Sequence, residues 1–503
     1  MTDNLLILPV IIQLVIAVIS LFFWSRTNYQ RLSSIVGNVI FLAVSFILFF
    51  YVKENGIMVS QGGNWPAPFG ITFVLDLFSA SMLVITGLSG LAVSIFTAGS
   101  MSRRRALFVF FPIYHFLLLG ISGSFIAGDL FNLYVWFELI IIASFGLITL
   151  GGGRRQLEGA LKYVTLNLVA STLFLTSIAF VYGLTGSLNL ADLAVKIPEV
   201  ENQDLVSIAA LLFFVGLGIK TAVFPMYFWL PASYHTPMSA ISAIFGGLLT
   251  KVGVYALIRV FSLFFLPDSY IGTVISAIAA LTLIMGAMGA FIQKDVRKVF
   301  SWLIVCHIGF MIAGLGIFST VALAGAVLYL FHDIIIKTNI FMVSGLLYRI
   351  NGAHTFKFIG GLYEHYPKLS FLIAIPLFSL IGIPPLSGFW PKILLIEGGI
   401  QGFDYFIVAA ILLGSFVTLV TIGKLWVTAV WSEQKQVKYV KHFIHFKQLS
   451  KAQRIAYVFP IAFLSVVSLF FGFGAFWMLD IANRIAEELI NPELYIQSIL
   501  QFQ

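Results

Sequence analysis

Charged residues and cysteines are both scarce in this sequence. Of its 503 residues only 10% are charged and 60% are hydrophobic, whereas soluble globular domains carry about 25% charged residues. Cys306 is the single cysteine, which excludes disulfide frameworks, thiolate zinc sites and Cys-ligated iron–sulfur clusters. The composition therefore excludes an ordinary soluble protein and predicts a membrane protein that binds no cofactor.

Nucleotide- and metal-binding motifs are also missing. The sequence contains no GxxxxGK[ST] phosphate loop, no GxGxxG after a strand, no HExxH and no Cys/His metal spacing. The 29 basic residues outnumber the 21 acidic ones, but loops on the cytoplasmic side of a membrane account for such an excess, and no basic domain is present. We therefore expect neither nucleotide hydrolysis nor nucleic-acid binding by this chain.

Apolar segments of membrane-spanning length recur about fourteen times, at about 20 residues for each span. They are too long and too uniformly apolar for the strands of an outer-membrane barrel, so they should form helices. The first has no basic region before it and is interpreted as a retained span. The predicted fold class is an all-α polytopic membrane protein with about 14 transmembrane helices. The predicted spans are residues 4–24, 32–52, 77–98, 106–122, 129–150, 162–183, 205–236, 238–261, 270–292, 299–318, 321–346, 371–399, 405–431 and 455–480.

The distribution of basic residues predicts the orientation. Of the 29 lysines and arginines, 20 lie in the odd-numbered connections between spans, and only four lie in the even-numbered connections and at the two ends. Because basic loops stay in the cytoplasm, this asymmetry places the odd-numbered connections inside and both termini outside. No connection is long enough to form a soluble domain.

Five lysines and one glutamate lie deep inside the apolar spans. A lysine at a helix centre costs about 2.5–3.5 kcal/mol on insertion scales, which a purely structural bundle has little reason to bear. For Glu138 the alternative is a buried pair that locks helices together, and for Lys424 it is snorkelling to the cytoplasmic surface. The residues are Glu138, Lys220, Lys251, Lys337, Lys392 and Lys424.

Two of these lysines lie beside predicted helix breaks. Lys220 precedes Pro225 by five residues, and Lys392 ends the segment IPPLSGFWPK. Proline interrupts a helix, and irregular backbone at membrane depth is tolerated where it lines a cavity or is buried in protein. A lysine beside such a break is typical of a transport site. For Lys392 the alternative is contact with backbone carbonyls at the end of a half-helix.

Buried histidines accompany the lysines. His332, Asp333 and Lys337 lie in span eleven, and His307 lies in span ten. Asp333 and Lys337 are four residues apart and can neutralise each other on one helix face, and buried histidines are often satisfied core residues. Taken together with the other buried charges, however, these groups form a chain of the kind that passes protons through a membrane.

An internal repeat connects the two breaks. Residues 224–231 (FPMYFWLP) resemble residues 383–391 (IPPLSGFWP), and the breaks lie five spans apart. An odd offset inverts the second unit relative to the first, so spans four to eight and nine to thirteen are predicted to form two inverted five-helix repeats with broken helices in spans 7 and 12. The predicted segments are 1–105 (spans one to three), 106–265 and 266–432 (the repeats) and 433–503 (the last loop, span and tail).

These features resemble one known family, the antiporter-like subunits shared by respiratory complex I, membrane-bound hydrogenases and multisubunit Mrp cation/proton antiporters. The resemblance rests on Glu138 and the lysine series, on the two breaks, and on QKDVRKVFSW (293–302), although this motif departs from the commoner Ala-Tyr-Ser-Ser ending. GNWPAPFGI (63–71) and the chain length are most similar to the D-type members of the Mrp antiporters.

The resemblance implies a sodium (or potassium)/proton exchanger in a bacterial cell membrane that works only together with several different partner subunits. It implies that Glu138 pairs with Lys220 and that protons move through Lys251 and Lys392, with His332 and Lys337 in the relay. His307, Asp333 and Lys424 are further candidates. Two alternatives are a subunit of a redox-driven proton pump of the complex I or hydrogenase type, and an assembly scaffold whose buried charges fix helix register.

Overall fold

The computed structural model describes residues 3–267, 269–433 and 444–500. The described chain is almost entirely helical. Short 3₁₀ turns and two π-helical turns, Phe245–Leu249 and Val427–Trp431, interrupt or extend the α-helices. In chain order the α-helices are α1 (Leu8–Phe22), α2 (Thr27–Asn55), α3 (Leu77–Ser100), α4 (Arg103–Ala106), α5 (Phe110–Ile126), α6 (Leu130–Thr149), α7 (Arg154–Thr185), α8 (Leu190–Lys196), α9 (Gln203–Thr221), α10 (Trp229–Ser233), α11 (Ser239–Ile244), α12 (Thr250–Leu263), α13 (Ser269–Phe291), α14 (Val296–Ile317), α15 (Thr320–Asn351), α16 (Leu362–His365), α17 (Pro367–Ile381), α18 (Phe389–Gln401), α19 (Tyr405–Trp426), α20 (Lys451–Phe473), α21 (Ala475–Ile490) and α22 (Glu493–Leu500).

Twelve helices of the described chain are long and apolar enough to cross a membrane. Two further predicted spans, 106–122 and 371–399, overlap the shorter apolar helices α5 and α17, and the second continues through the break into α18. The polytopic helical fold is therefore confirmed, while the count of fourteen spans and the inverted repeat stay predictions. Lys435, Lys438 and Lys441, which contribute to the predicted orientation, lie outside the described residues.

A small β-hairpin departs from the all-helical expectation. Strands β1 (Met58–Gln61) and β2 (Thr72–Leu75) pair antiparallel between α2 and α3. Asp76 follows β2 directly and caps α3, with its side chain accepting a hydrogen bond from the backbone N–H of Ser79. The hairpin is too short for an apolar pattern of span length to reveal it.

Both predicted breaks are present in the structure. Helix α9 ends at Thr221, where Ala222 adopts a left-handed conformation, and α10 begins only at Trp229. Helix α17 ends at Ile381, where Gly382 has a φ of 88°, and α18 begins at Phe389. The prolines that predicted the breaks lie in these two gaps, where they remove no helical hydrogen bond.

Helix α15 forms the centre of the bundle. It has 32 residues and is therefore about 48 Å long at 1.5 Å rise per residue, and it packs against α3, α11, α14, α17, α18, α20 and α21. The helical stretch from Ser239 to Leu263 is also enclosed by protein. By contrast, α1, α2, α7 and α19 expose large apolar side chains, as helices in contact with lipid or partner chains do. Lys251, Asp333 and Lys337 lie on these two enclosed segments.

Candidate functional site

Asp333 is the centre of a fully buried group of ionisable side chains. Its Oδ2 lies 2.7 Å from Lys251 Nζ, and its Oδ1 lies 2.7 Å from His307 Nδ1 and 3.7 Å from Lys337 Nζ. All four side chains are buried with no exposed fraction. We call these four residues the Asp333 group. The expected pairing of Asp333 with Lys337 is present, but it is the longest of the three contacts, and the partners on α12 and α14 are closer.

The charge of the Asp333 group is unbalanced when both lysines are protonated. The carboxylate of Asp333 compensates only one of the two ammonium groups, and burial of the second, uncompensated charge is strongly unfavourable. The second ammonium, on Lys337, is held by the Leu303 carbonyl oxygen at 3.0 Å. His307 Nε2 has no hydrogen-bond partner among the described residues. The group therefore has more than one site at which it can take up or release a proton.

A π-helical turn positions Lys251. The turn Phe245–Leu249 widens the helix just before Lys251, and Lys251 Nζ donates to the carbonyl of Gly246 at 2.7 Å. Such turns occur frequently at functional sites. A Cβ atom on Gly247 would lie 2.1 Å from Thr338 Oγ1, so glycine allows the turn to pack directly on α15. The local sequence FGGLL thus brings Lys251 against Asp333.

His332 connects α15 to the second break through hydroxyl groups. His332 Nδ1 lies 2.8 Å from Ser387 Oγ. The hydroxyls of Ser379, Ser387 and Ser468 lie 2.8–2.9 Å from one another. A Cβ atom on Gly388 would lie 2.1 Å from the Ser379 carbonyl oxygen and 3.0 Å from His332 Nε2. The small residues of the break therefore leave the room that the imidazole occupies.

Lys392 contacts the end of the preceding half-helix. Its Nζ donates to the Ile381 carbonyl at 2.7 Å and lies 5.0 Å from the centre of the Phe310 ring. Ile381 is the last residue of α17, and carbonyls at a helix end attract cations. The structure therefore contains the carbonyl contact that the sequence offered as the alternative for Lys392.

Lys220 and Glu138 do not form an ion pair in this structure. Lys220 Nζ donates to Ser171 Oγ at 2.9 Å and lies 5.0 Å from the centre of the Phe137 ring. Glu138 Oε1 is buried and has no hydrogen-bond partner among the described residues. The ion pair between Glu138 and Lys220 that the family resemblance implies is therefore not formed in this structure. Lys220 also lines a cavity of about 20 Å³ that reaches Leu249, the last residue of the π-helical turn.

Lys424 lies apart from these residues. Its side chain is exposed and sits 5.8 Å from the centre of the Phe291 ring. This position agrees with the snorkelling alternative. Asp129 lies at the start of α6, where its side chain accepts a hydrogen bond from the Asn132 N–H.

One buried ion pair is not evident from the sequence. Arg259, which was counted among the few basic residues of the even-numbered connections, is 7% exposed and donates to Asp76. It lies eight residues after Lys251 on α12, about 12 Å along the axis. Its position near the end of a predicted span concealed its burial, and only the fold brings Asp76 to it. Among the described residues no cluster of three or more His, Cys, Asp or Glu side chains could hold a metal ion.

Comparison with known proteins identifies a matching family and similar proteins of known name. Residues 127–418 match the family model described as NADH:quinone oxidoreductase/Mrp antiporter, transmembrane. The chain is 40% identical to the D-type subunit of a Na(+)/H(+) antiporter of Alkalihalophilus pseudofirmus over 99% of this chain and 100% of the relative. It is 38% identical to the corresponding D-type subunit of a Na(+)/H(+) antiporter of Bacillus subtilis, with the same coverage.

A solved structure of similar fold is that of the Mrp complex from Dietzia sp. DQ12-45-1b. The TM-score is 0.92 at 26% identity, over 99% of this chain and 100% of that chain. Sequence and fold thus agree, and the chain belongs to the NADH:quinone oxidoreductase/Mrp antiporter family of membrane proteins, together with the D-type subunits of the Na(+)/H(+) antiporters.

Proposed function

We propose that this chain is the proton-translocating subunit of a multisubunit sodium (or potassium)/proton antiporter. Its partners are the other subunits of that complex, H⁺, the coupled cation and membrane lipid. The single observation that carries the proposal is the Asp333 group, in which one buried carboxylate faces two lysines and a histidine. A group that changes its proton content inside the membrane is a functional element and not a structural one.

The proposed route runs through the two halves of the bundle. Lys220 exchanges a proton with the Asp333 group. The cavity beside Lys220 is large enough for about one water molecule and extends toward Lys251 as far as Leu249. From Asp333 the route continues to the neighbouring His332 and the serine hydroxyls around it. It ends at Lys392, beside the carbonyl of Ile381.

The proposed switch is the side chain of Lys220. When Lys220 pairs with Glu138, its charge is compensated. When it turns to the neutral hydroxyl of Ser171, as here, its charge acts on the neighbouring buried groups at low dielectric. Repulsion then moves a proton from Lys251 onward toward Lys392. Opening and closing of the pair is thereby coupled to proton movement.

The decisive experiment uses the complete complex in sealed vesicles. A sodium gradient is imposed, and the resulting pH change is measured for wild type, Glu138→Gln and Lys220→Ala. Both variants are expected to lose sodium-driven proton movement, and retained movement in both contradicts the proposed switch. Lys162→Gln is a matched control, because Lys162 forms an exposed surface pair with Glu158.

A second candidate function is that of a subunit of a redox-driven proton pump, because the description of the family includes NADH:quinone oxidoreductase. In that case the same relay is driven by electron transfer on neighbouring chains. Purification of the native complex separates the two: quinone-reactive or iron–sulfur partners indicate the redox pump, and small membrane partners indicate the antiporter. Charge-neutral replacements that preserve transport would instead support the scaffold hypothesis.

The placement in the membrane completes the proposal. The chain is a multi-pass protein of the bacterial cytoplasmic membrane, with both termini on the outer side. The segments 1–105, 106–265, 266–432 and 433–503 are its structural units, and the two central ones are inverted repeats. The distribution of basic residues supports this orientation.

A further inference from the structure

Three arginines converge on one cavity at the basic end of the molecule. Arg105 comes from α4, Arg297 from the first turn of α14, and Arg349 from the last turn of α15. They line a cavity of about 320 Å³, which is within the size range of small-molecule sites, about 300–1,000 Å³. This cavity, the arginine cavity, is separate from the Asp333 group.

Within the described chain no acidic side chain forms an ion pair with these arginines, and Asp295, which caps α14 two residues before Arg297, attracts Arg297 only from beyond 4.0 Å. None of the described residues that line the cavity is Asp or Glu. Within the described chain, no carboxylate oxygen lies within 4.0 Å of any of the three guanidinium groups. Like charges held together repel, so this arrangement favours a bound anion.

Part of the hydrogen-bonding capacity of the cavity is unused. Arg297 donates through Nη1 to the Pro237 carbonyl at 2.9 Å, but its Nε has no partner among the described residues. His354 Nδ1 is likewise buried without a described partner. Burial, and then the nearby Arg297, lower the pKa of His354 to about 2. His354 is therefore neutral, and the positive charge of the cavity comes from the arginines.

The backbone adds to the attraction for an anion. A helical stretch of 25 residues begins at Ser239, and Ser239 and Ala240 line the cavity. The N-terminus of a helix carries a partial positive charge and free N–H groups, which favour phosphate and other anions. A guanidinium group can donate two parallel hydrogen bonds to two oxygens of a phosphate group.

We propose that the arginine cavity binds a phosphate group, supplied either by the headgroup of an acidic phospholipid or by a soluble phosphate. The cavity lies among the odd-numbered connections, which the basic residues place in the cytoplasm. Basic pockets between transmembrane helices on this side bind acidic lipid headgroups. The bound phosphate joins α4, α14 and α15, and so stabilises the inner end of the bundle.

The test compares wild type with Arg105→Gln and with Arg103→Gln as the matched control. Both arginines lie on α4 and are exposed, but only Arg105 lines the cavity. The purified complex is studied in two arms: detergent doped with phosphatidylglycerol or phosphatidylcholine, and detergent with inorganic phosphate and no acidic lipid. Bound lipid is measured by native mass spectrometry, and phosphate binding by the shift in thermal unfolding.

We expect wild type to bind phosphatidylglycerol or inorganic phosphate in at least one arm. Arg105→Gln should weaken the affinity about tenfold or more, since a hydrogen bond between charged groups contributes that much. Arg103→Gln should change it by less than about twofold. Retention of phosphatidylglycerol alone identifies a lipid headgroup, and stabilisation by inorganic phosphate identifies a soluble ligand. Absence of binding in both arms, or an equal loss in Arg103→Gln, overturns the proposal. Arg297→Lys, which keeps the charge but not the paired donors, should also weaken binding.

Discussion

Replacing Asp333 with asparagine removes the only carboxylate of the Asp333 group while keeping the shape of the side chain. Lys251 then loses its 2.7 Å partner, and Lys337 loses its 3.7 Å partner. Breaking a fully buried ion pair by removing one partner costs about 3–5 kcal/mol, because the other charge is left uncompensated. We expect a loss of stability of about that size, at the lower end of the range if Lys251 releases its proton.

The double variant Asp333→Asn with Lys251→Met separates stability from transport. It restores the net charge of the wild-type group, since one carboxylate and one ammonium are removed together. Replacing both members of a buried pair is often neutral or stabilising, so we expect more than half of the lost stability to return. Proton transport should stay at least about tenfold below wild type in both variants, as expected when a proton-transfer group is removed.

The assays are chemical unfolding of the purified complex and sodium-driven pH change in vesicles. Two results would refute the reasoning. The first is an unfolding free energy of Asp333→Asn within about 1 kcal/mol of wild type, because a loss that small is typical of an exposed ion pair and not of a buried one. The other is a double variant that recovers transport together with stability, because the buried charges would then only maintain structure.

Three further predictions concern other parts of the chain. In vesicles, Lys392→Ala should lose sodium-driven proton movement, whereas Lys424→Ala should retain it because Lys424 is exposed; equal loss in both would contradict this assignment. Burial, and then the nearby Asp76, raise the pKa of Glu488 from 4.5 to about 7. Since the folded state keeps this proton longer than the unfolded state, the unfolding free energy should fall by up to about 1 kcal/mol per pH unit between these values. Unfolding of Glu488→Gln should lack this decline. A cysteine introduced at exposed Ser102 should react with an impermeant thiol reagent only from the cytoplasmic side, and labelling from outside would reverse the predicted orientation.

Much of the fold follows from local features of the sequence. Apolar length predicts the spans, and the prolines at 225 and 384–385 predict where two helices break, because these effects depend on neighbouring residues alone. The hairpin between α2 and α3 was missed, since its two strands have four residues each and pair through contacts that the apolar pattern does not contain.

The candidate site was only partly predictable, for a related reason. Helical spacing shows that Lys337 is a neighbour of Asp333, but it does not show which side chains face Asp333 from other helices. Lys251 and His307 prove to be closer. In the same way the exposed position of Lys424 depends on which face of α19 packs inward.

The sequence by itself determined that this is a helical membrane protein and that a few lysines, histidines and acidic residues lie within its spans, because an apolar span carries into the membrane any charge that it contains. Only the tertiary structure decided how those charges combine. It makes Asp333 the common partner of Lys251, His307 and Lys337, and it turns Lys220 toward Ser171. Packing between helices distant in the chain sets these contacts, and no local pattern specifies them.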